Sequence, residues 1–226
     1  MSTSTAASAI GSGRPQGKGE ELANAVSHGL GALASLVALP FLVSAAARAA
    51  SFRARAVPIW PYAVFGLALL VLFSSSALYH AVGSPELKRR LRVLDHSSIY
   101  ILIAGSYSAY SLCFLAGAKG MILFGVEWAI AAGGLWLSAA RIDKFRAAGA
   151  LIYLAMGWLI APVFGEIRAA LPPASFELLV AGGLAYTAGI AFYAVKRVPY
   201  FHAIWHLFVL AGAACHVASL LIAAGG

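Results

Sequence analysis

The chain has 226 residues, of which 62% are hydrophobic and only 11% are charged. A soluble domain is about 45–50% apolar and about 25% charged, so this composition excludes a single water-soluble globule and requires lipid as solvent. The formal charge of +8 does not indicate nucleic-acid binding, because the basic residues form short clusters between apolar segments, as in the loops of membrane proteins.

The order of apolar segments predicts an all-α, integral membrane bundle of seven transmembrane helices. Residues 1–19 are small and polar without hydrophobic periodicity and are expected to form a disordered tail; residues 20–226 form the membrane domain. A spanning helix needs about 20 apolar residues. Seven such segments are expected near residues 28–47, 59–82, 96–115, 120–140, 148–164, 176–195 and 201–223. Pro40 predicts a kink in the first helix, and Pro162 is expected to end the fifth.

Four polar residues are expected in one layer near the cytoplasmic ends of the helices. His80 closes the second helix, Asp95 opens the third, and His202 and His206 occupy the first two turns of the seventh. His202 and His206 are four residues apart, so both rings lie on one helical face, a spacing that suits two ligands of one cation. With His80, they make a three-histidine site of the type that binds catalytic zinc.

Other interpretations of these residues remain open. Histidines near a membrane boundary also hydrogen-bond to carbonyl groups or lipid head groups without binding a metal. Ser76 lies four residues before His80 and faces the same way. We expect His216 and Glu127 to be structural, since both lie far from the layer, and the sequence assigns no role to His28. The two cysteines lie within apolar segments and predict no disulfide.

Five motifs occur in a characteristic order along residues 20–223. They are Glu21-x-x-Asn24-x-x-Ser27-His28-Gly29, Ser76-x-x-x-His80, Leu94-Asp95-His96-Ser97-Ser98-Ile99-Tyr100, Met156-Gly157-Trp158, and the segment KRVPYFHAIWHLFV over residues 196–209. In this order they resemble the hemolysin III family of bacterial membrane proteins, whose relatives include the progestin and adiponectin receptors and, more distantly, the alkaline ceramidases.

The resemblance implies a seven-helix protein of the bacterial inner membrane with its N-terminus inside. It also implies a Zn²⁺ site formed by His80, His202 and His206, accompanied by Ser76 and Asp95. Several members of the wider superfamily hydrolyse lipid amides. The first functional hypothesis is therefore a zinc-dependent hydrolase of a membrane lipid amide or related amphiphile, with Asp95 as general base and Ser76 as a hydrogen-bond donor.

Two alternatives belong to other functional classes. One is a pore-forming cytolysin, as the family name suggests, although a pore needs polar residues along the full depth of several helices. The other is a membrane receptor or sensor in which zinc is structural. The sequence leaves the substrate, the physiological metal and the oligomeric state open, and it predicts no nucleic-acid partner.

The charges of the connecting segments predict a cytoplasmic N-terminus and an external C-terminus. In that orientation eleven Lys and Arg residues lie on cytoplasmic segments and five on external ones, in agreement with the positive-inside rule. A periplasm-dependent reporter fused after Gly226 should therefore be active, and a cytoplasm-dependent reporter at the same position should be silent. The reverse result would overturn the orientation.

Overall fold

The computed structural model describes residues 14–52, 58–141 and 146–225, and within these ranges the chain is helical and has no strands. The helices are α1 (Lys18–Phe52), α2 (Trp60–Ala81), α3 (Pro85–Phe114), α4 (Ala118–Arg141), α5 (Arg146–Gly157), α6 (Phe164–Ala170), α7 (Pro173–Ala194) and α8 (Phe201–Gly225). Seven spans among them are long and apolar enough to cross a membrane, with α5 and α6 together making one span. The predicted all-α, seven-span fold is confirmed.

The first and third helices begin earlier than their apolar segments. The expected tail covered residues 1–19, of which residues 1–13 lie outside the described part of the chain. α1 begins at Lys18, because the backbone N–H groups of Glu20 and Glu21 donate to the Gly17 carbonyl and the Glu20 carboxylate accepts from the Gly17 N–H. This reciprocal cap stabilises a charged first turn that hydropathy does not detect.

The third helix also starts with a polar extension. α3 begins at Pro85, eleven residues before the expected start at residue 96, since proline is well suited to the first turn of a helix. Its first turns carry the basic cluster of residues 88–92. This extension brings Lys88 alongside α1, where its ammonium donates to the Glu21 carboxylate at 2.8 Å.

α3 occupies the centre of the bundle although it is the most polar of the spans. It packs against α2 and α4 and also contacts α5 and α6, while α1 packs against α2 and α8, and α7 against α8. Buried serines are tolerated along α3 because their hydroxyls donate to carbonyls of the preceding turn: Ser106 to Ile103, Ser108 to Ala104 and Ser111 to Tyr107. Within a membrane such internal pairing replaces the water that a soluble helix would use.

The fifth span is broken, in contrast to the single helix expected over residues 148–164. α5 stops at Gly157, a turn and a short 3₁₀ segment (Ala161–Val163) follow, and α6 completes the crossing. Pro162 lacks an N–H and its ring excludes the carbonyl four residues earlier, so the helix ends before the proline. The hydroxyl of Tyr107 accepts from the Ile160 N–H at 2.8 Å and donates to the Gly157 carbonyl at 3.0 Å, thereby satisfying the interrupted backbone.

The Tyr107→Phe variant should therefore be less stable, because it leaves a backbone donor and a backbone acceptor unpaired inside a membrane span. Such a loss costs about 1–3 kcal/mol, so we expect a fall in Tm on the order of 5 °C for a chain of this size, measured by thermal unfolding in detergent micelles. Tyr186→Phe is the matched control, since the Tyr186 hydroxyl has no hydrogen-bond partner within residues 14–52, 58–141 and 146–225. Equal melting of the two variants would refute the bridging role.

Candidate metal centre

Three histidines from α2 and α8 converge at one end of the bundle. His80 lies in the last turn of α2, and His202 and His206 lie in the first two turns of α8. His80 and His206 are buried and His202 is partly buried. One ring nitrogen from each residue lies within 4.8 Å of the others. The chain thus brings together the three residues that the sequence singled out, in an arrangement that could hold a metal ion.

The spacing of the nitrogen atoms in this cluster and their lack of other partners suit a bound metal ion. The Nε2 atoms of His202 and His206 are 3.2 Å apart, close to the edge of about 3.3 Å that a tetrahedral zinc site with bonds of 2.0–2.1 Å would have. All three ligand atoms lie within 4.8 Å of one another. His80 Nε2 is buried without a hydrogen-bond partner among the described residues. An unpartnered buried nitrogen costs free energy that a bound cation would recover.

α1 holds two of these rings by the nitrogen that faces away from the cluster. His80 Nδ1 is 2.8 Å from the Glu21 carboxylate, and His206 Nδ1 is 3.3 Å from the Asn24 carbonyl oxygen and 3.2 Å from Ser27 Oγ. Carboxylate and carbonyl oxygens only accept, so each Nδ1 donates and each Nε2 keeps a lone pair. This is the arrangement that fixes the tautomer of metal-binding histidines in proteins.

A contact with α1 also positions the start of α8. Tyr200, just before the helix, has a φ of 62°, in the left-handed region that costs a residue with a side chain about 1–3 kcal/mol. Its N–H donates to the Glu20 carboxylate at 2.8 Å, which helps to hold this conformation. His202 follows two residues later, so the acidic first turn of α1 sets the position of both His80 and His202.

His28, to which the sequence assigns no role, lies against the cluster. Its ring stacks on that of His206, with centroids 3.5 Å apart and an angle of 8° between the planes, and it contacts Phe73 edge-on. Neither of its ring nitrogens has a hydrogen-bond partner among the described residues. The helical stripe of Glu21, Asn24 and His28 was the available signal, since its members are three, four and seven residues apart and face one side of α1.

Asp95 and Ser76 lie near the histidines but outside the three-residue group. Both line the same cavity as His202 and His206. The Asp95 carboxylate is 3.4 Å from His96 Nδ1, which is also 2.9 Å from the Arg92 carbonyl oxygen. Ser76 Oγ is buried, and its hydroxyl lies close enough to the Asp95 carboxylate to interact with it. A carboxylate and a hydroxyl therefore stand together beside the cluster.

The histidines separate two cavities of opposite character. An apolar cavity of about 150 Å³ extends from His202 and His206 into the bundle, between α3, α5, α7 and α8. A polar cavity of about 570 Å³ lies on the other side and is lined by His80 and by six charged residues, namely Arg14, Glu20, Glu21, Lys88, Arg92 and Lys196. His202 borders both cavities. The cluster thus stands where a polar chamber meets an apolar one.

Two other buried ionisable residues lie away from the cluster. His216 is ten residues beyond His206, about 15 Å along α8, and lines the far end of the apolar cavity. Glu127 is fully buried on α4, and its carboxylate oxygens have no hydrogen-bond partner within the described residues. Glu127 is absent from the lining of both cavities.

This fold and cluster define a class: an integral membrane protein of seven helical spans with a buried group of three histidines at one end. The chain belongs to the family described as Haemolysin-III related, whose profile matches residues 17–217. This result confirms the resemblance found in the sequence motifs.

Several relatives are similar over most of the chain. The protein named Hemolysin-3 homolog from Bacillus subtilis (strain 168) is 40% identical over 195 residues, which is 86% of this chain and 90% of that protein. Hemolysin-3 from Bacillus cereus is 37% identical over 195 residues, 86% of this chain and 87% of its own. The human Monocyte to macrophage differentiation factor is 30% identical over 161 residues, 68% of this chain and 66% of its own. No solved structure gives a significant match.

Proposed function

We propose that this protein is a zinc-dependent hydrolase that cleaves a lipid amide or a related amphiphile at the cytoplasmic face of the bacterial inner membrane. The main support is the position of the three histidines at the junction of an apolar and a polar cavity. An amphiphile whose tail occupies the apolar cavity and whose head group occupies the polar one presents its connecting bond to the histidines. The basic clusters beside the polar cavity favour a cytoplasmic location.

The residues present suit a zinc ion. His80, His202 and His206 would hold it through imidazole nitrogens, a donor set that leaves one tetrahedral position open and is typical of catalytic zinc. When bound, the ion supplies Lewis acidity and lowers the pKa of water at the open position. Glu21 and Asn24 keep the Nδ1 atoms of His80 and His206 engaged, so the opposite nitrogens remain available.

Asp95 and Ser76 have the chemistry that hydrolysis requires. The Asp95 carboxylate accepts a proton from the attacking water as general base and returns it to the leaving amine. The hydroxyl of Ser76, which lies beside the Asp95 carboxylate, donates a hydrogen bond to the carbonyl oxygen as negative charge develops on it. The apolar walls around both residues exclude bulk water, which strengthens these interactions.

Purified protein should contain about one zinc ion per chain, and His202→Ala should weaken zinc binding at least tenfold because a three-imidazole site loses one of its donors. Glu21→Gln should reduce affinity by about 10–100-fold through its effect on His80. Metal analysis and competition with a chelator measure both effects. His96→Ala is the control histidine, since it lines the same cavity outside the cluster. If His202→Ala binds zinc as tightly as wild type, His202 is not a zinc ligand.

Asp95→Asn should retain zinc and lose turnover. General-base catalysis contributes roughly 10²–10⁴-fold, so kcat against a panel of lipid amides should fall by about that factor in detergent micelles. Ser76→Ala should also retain zinc and lose no more turnover than Asp95→Asn, since one hydrogen-bond donor to the developing negative charge contributes about 10²–10³-fold. If Asp95→Asn loses zinc, the Asp95 carboxylate is a metal ligand or is essential for holding the ligands in place. If zinc-loaded wild type cleaves no lipid of the panel, the metal is structural.

The names of the two Bacillus relatives refer to hemolysis, so release of a trapped dye from vesicles containing the protein should be measured in parallel. If the proposed function is correct, vesicles containing wild type and vesicles containing Asp95→Asn should release dye equally slowly, and only wild type should cleave lipid. Rapid release by both proteins would favour a cytolytic function instead.

A further inference from the structure

The deep end of the apolar cavity has a polar feature that hydrolysis at the histidine cluster does not use. His216 and Tyr186 both line the cavity there, and their rings meet edge-on with centroids 5.4 Å apart. His216 Nδ1 and the Tyr186 hydroxyl are both buried and have no hydrogen-bond partner among the residues that the structure describes. An unpaired buried polar atom costs about 1–3 kcal/mol, and here two occur on neighbouring residues at the deep end of the cavity.

The protonation of His216 follows from its other nitrogen. Nε2 is 3.2 Å from the Leu179 carbonyl oxygen, which only accepts, so Nε2 carries the hydrogen. In the neutral ring Nδ1 is then an acceptor, whereas the Tyr186 hydroxyl is free to donate. One acceptor and one donor on two residues that line the cavity match a ligand hydroxyl, which accepts one hydrogen bond and donates another. A methyl group forms no hydrogen bond with either residue, and a carbonyl oxygen accepts from the Tyr186 hydroxyl but offers no hydrogen to His216 Nδ1.

Two glycines make room for this pair. A Cβ atom at Gly182 on α7 would lie 2.3 Å from the His216 ring, and one at Gly212 on α8 would lie 2.7 Å from the Tyr186 ring. Each helix therefore lacks a side chain where the polar residue of the other helix packs. The reciprocal arrangement fixes both rings against rigid helices, as a preorganised binding site requires.

From these contacts we infer that His216 and Tyr186 form a subsite for a hydroxyl group on the chain of the bound amphiphile. The subsite lies about 15 Å from the histidine cluster, since ten residues of α8 separate His206 from His216. That distance corresponds to an extended chain of roughly twelve carbons. The ligand class is thus a long-chain acyl compound with a hydroxyl near its far end. The inference rests on the proposed function only for placing the head of the ligand at the cluster.

A binding experiment tests the subsite without requiring hydrolysis. The probes are a saturated fatty acid of about twelve carbons and the same acid with a terminal hydroxyl, titrated calorimetrically into zinc-loaded protein in detergent micelles. We expect wild type to bind the hydroxylated acid about tenfold more tightly, the effect of one or two net hydrogen bonds. In Tyr186→Phe this ratio should fall towards one. That variant removes only an unpaired hydroxyl, so its melting temperature should not decrease.

Tyr153→Phe is the matched control. Tyr153 lines the same cavity, but its hydroxyl already donates to the His96 carbonyl oxygen at 2.9 Å, so this variant should keep the wild-type ratio. Equal binding of the two acids by wild type would overturn the subsite, as would an unchanged ratio in Tyr186→Phe or failure to bind either acid. A clear preference for the hydroxylated acid in a protein that hydrolyses no lipid would uphold the subsite and refute the proposed function.

Discussion

The constraint on which this structure depends is that a polar group inside a membrane span finds its partner within the protein, because no water is present to replace it. α1 shows how the chain meets this requirement at the histidine cluster. Its first turns contribute a carboxylate, a backbone carbonyl and a hydroxyl to His80 and His206. These contacts satisfy one nitrogen of each ring and leave the other directed at its neighbours. The polar start of α1 is therefore part of the site itself.

The two cavities determine which kind of molecule can reach the histidine cluster. A histidine cluster surrounded only by apolar walls would meet no soluble head group, and one open only to a wide polar chamber would not retain an acyl chain. Here His80 lines the polar side, His206 the apolar side and His202 both. The basic and acidic residues of the polar chamber pair with one another in part, through Lys88 with Glu21 and Arg14 with Glu20. An amphiphile is the kind of molecule that fits both environments at once.

Much of the architecture could be predicted from the sequence because apolar length reports directly on membrane spans. Alternation of span direction was enough to place His80, His202 and His206 at one end, and helical spacing placed two of them on one face. The contacts of Glu21 and Asn24 could not be predicted in the same way, since they join residues 59 and 182 positions apart. Hydropathy also missed the charged first turns of α1 and α3. The break at Gly157 could not be placed from the sequence either. A proline indicates where a helix is disturbed, but it does not indicate how many residues earlier the helical backbone hydrogen bonds stop.

The divided fifth span has a mechanical consequence for the bundle. A continuous helix resists bending because every turn is tied to the next, whereas α5 and α6 meet at a turn where Tyr107 supplies the cross-link from a different helix. Leu154, Gly157 and Ile160 from this region form one wall of the apolar cavity. The turn keeps backbone hydrogen bonds between residues three apart, such as Leu159 N–H to the Met156 carbonyl at 3.0 Å, in place of the regular α-helical bonds. The fifth span is therefore the side of the chamber best able to bend. If the chamber admits a lipid, as the proposed function requires, sideways entry from the bilayer would meet least resistance at this wall.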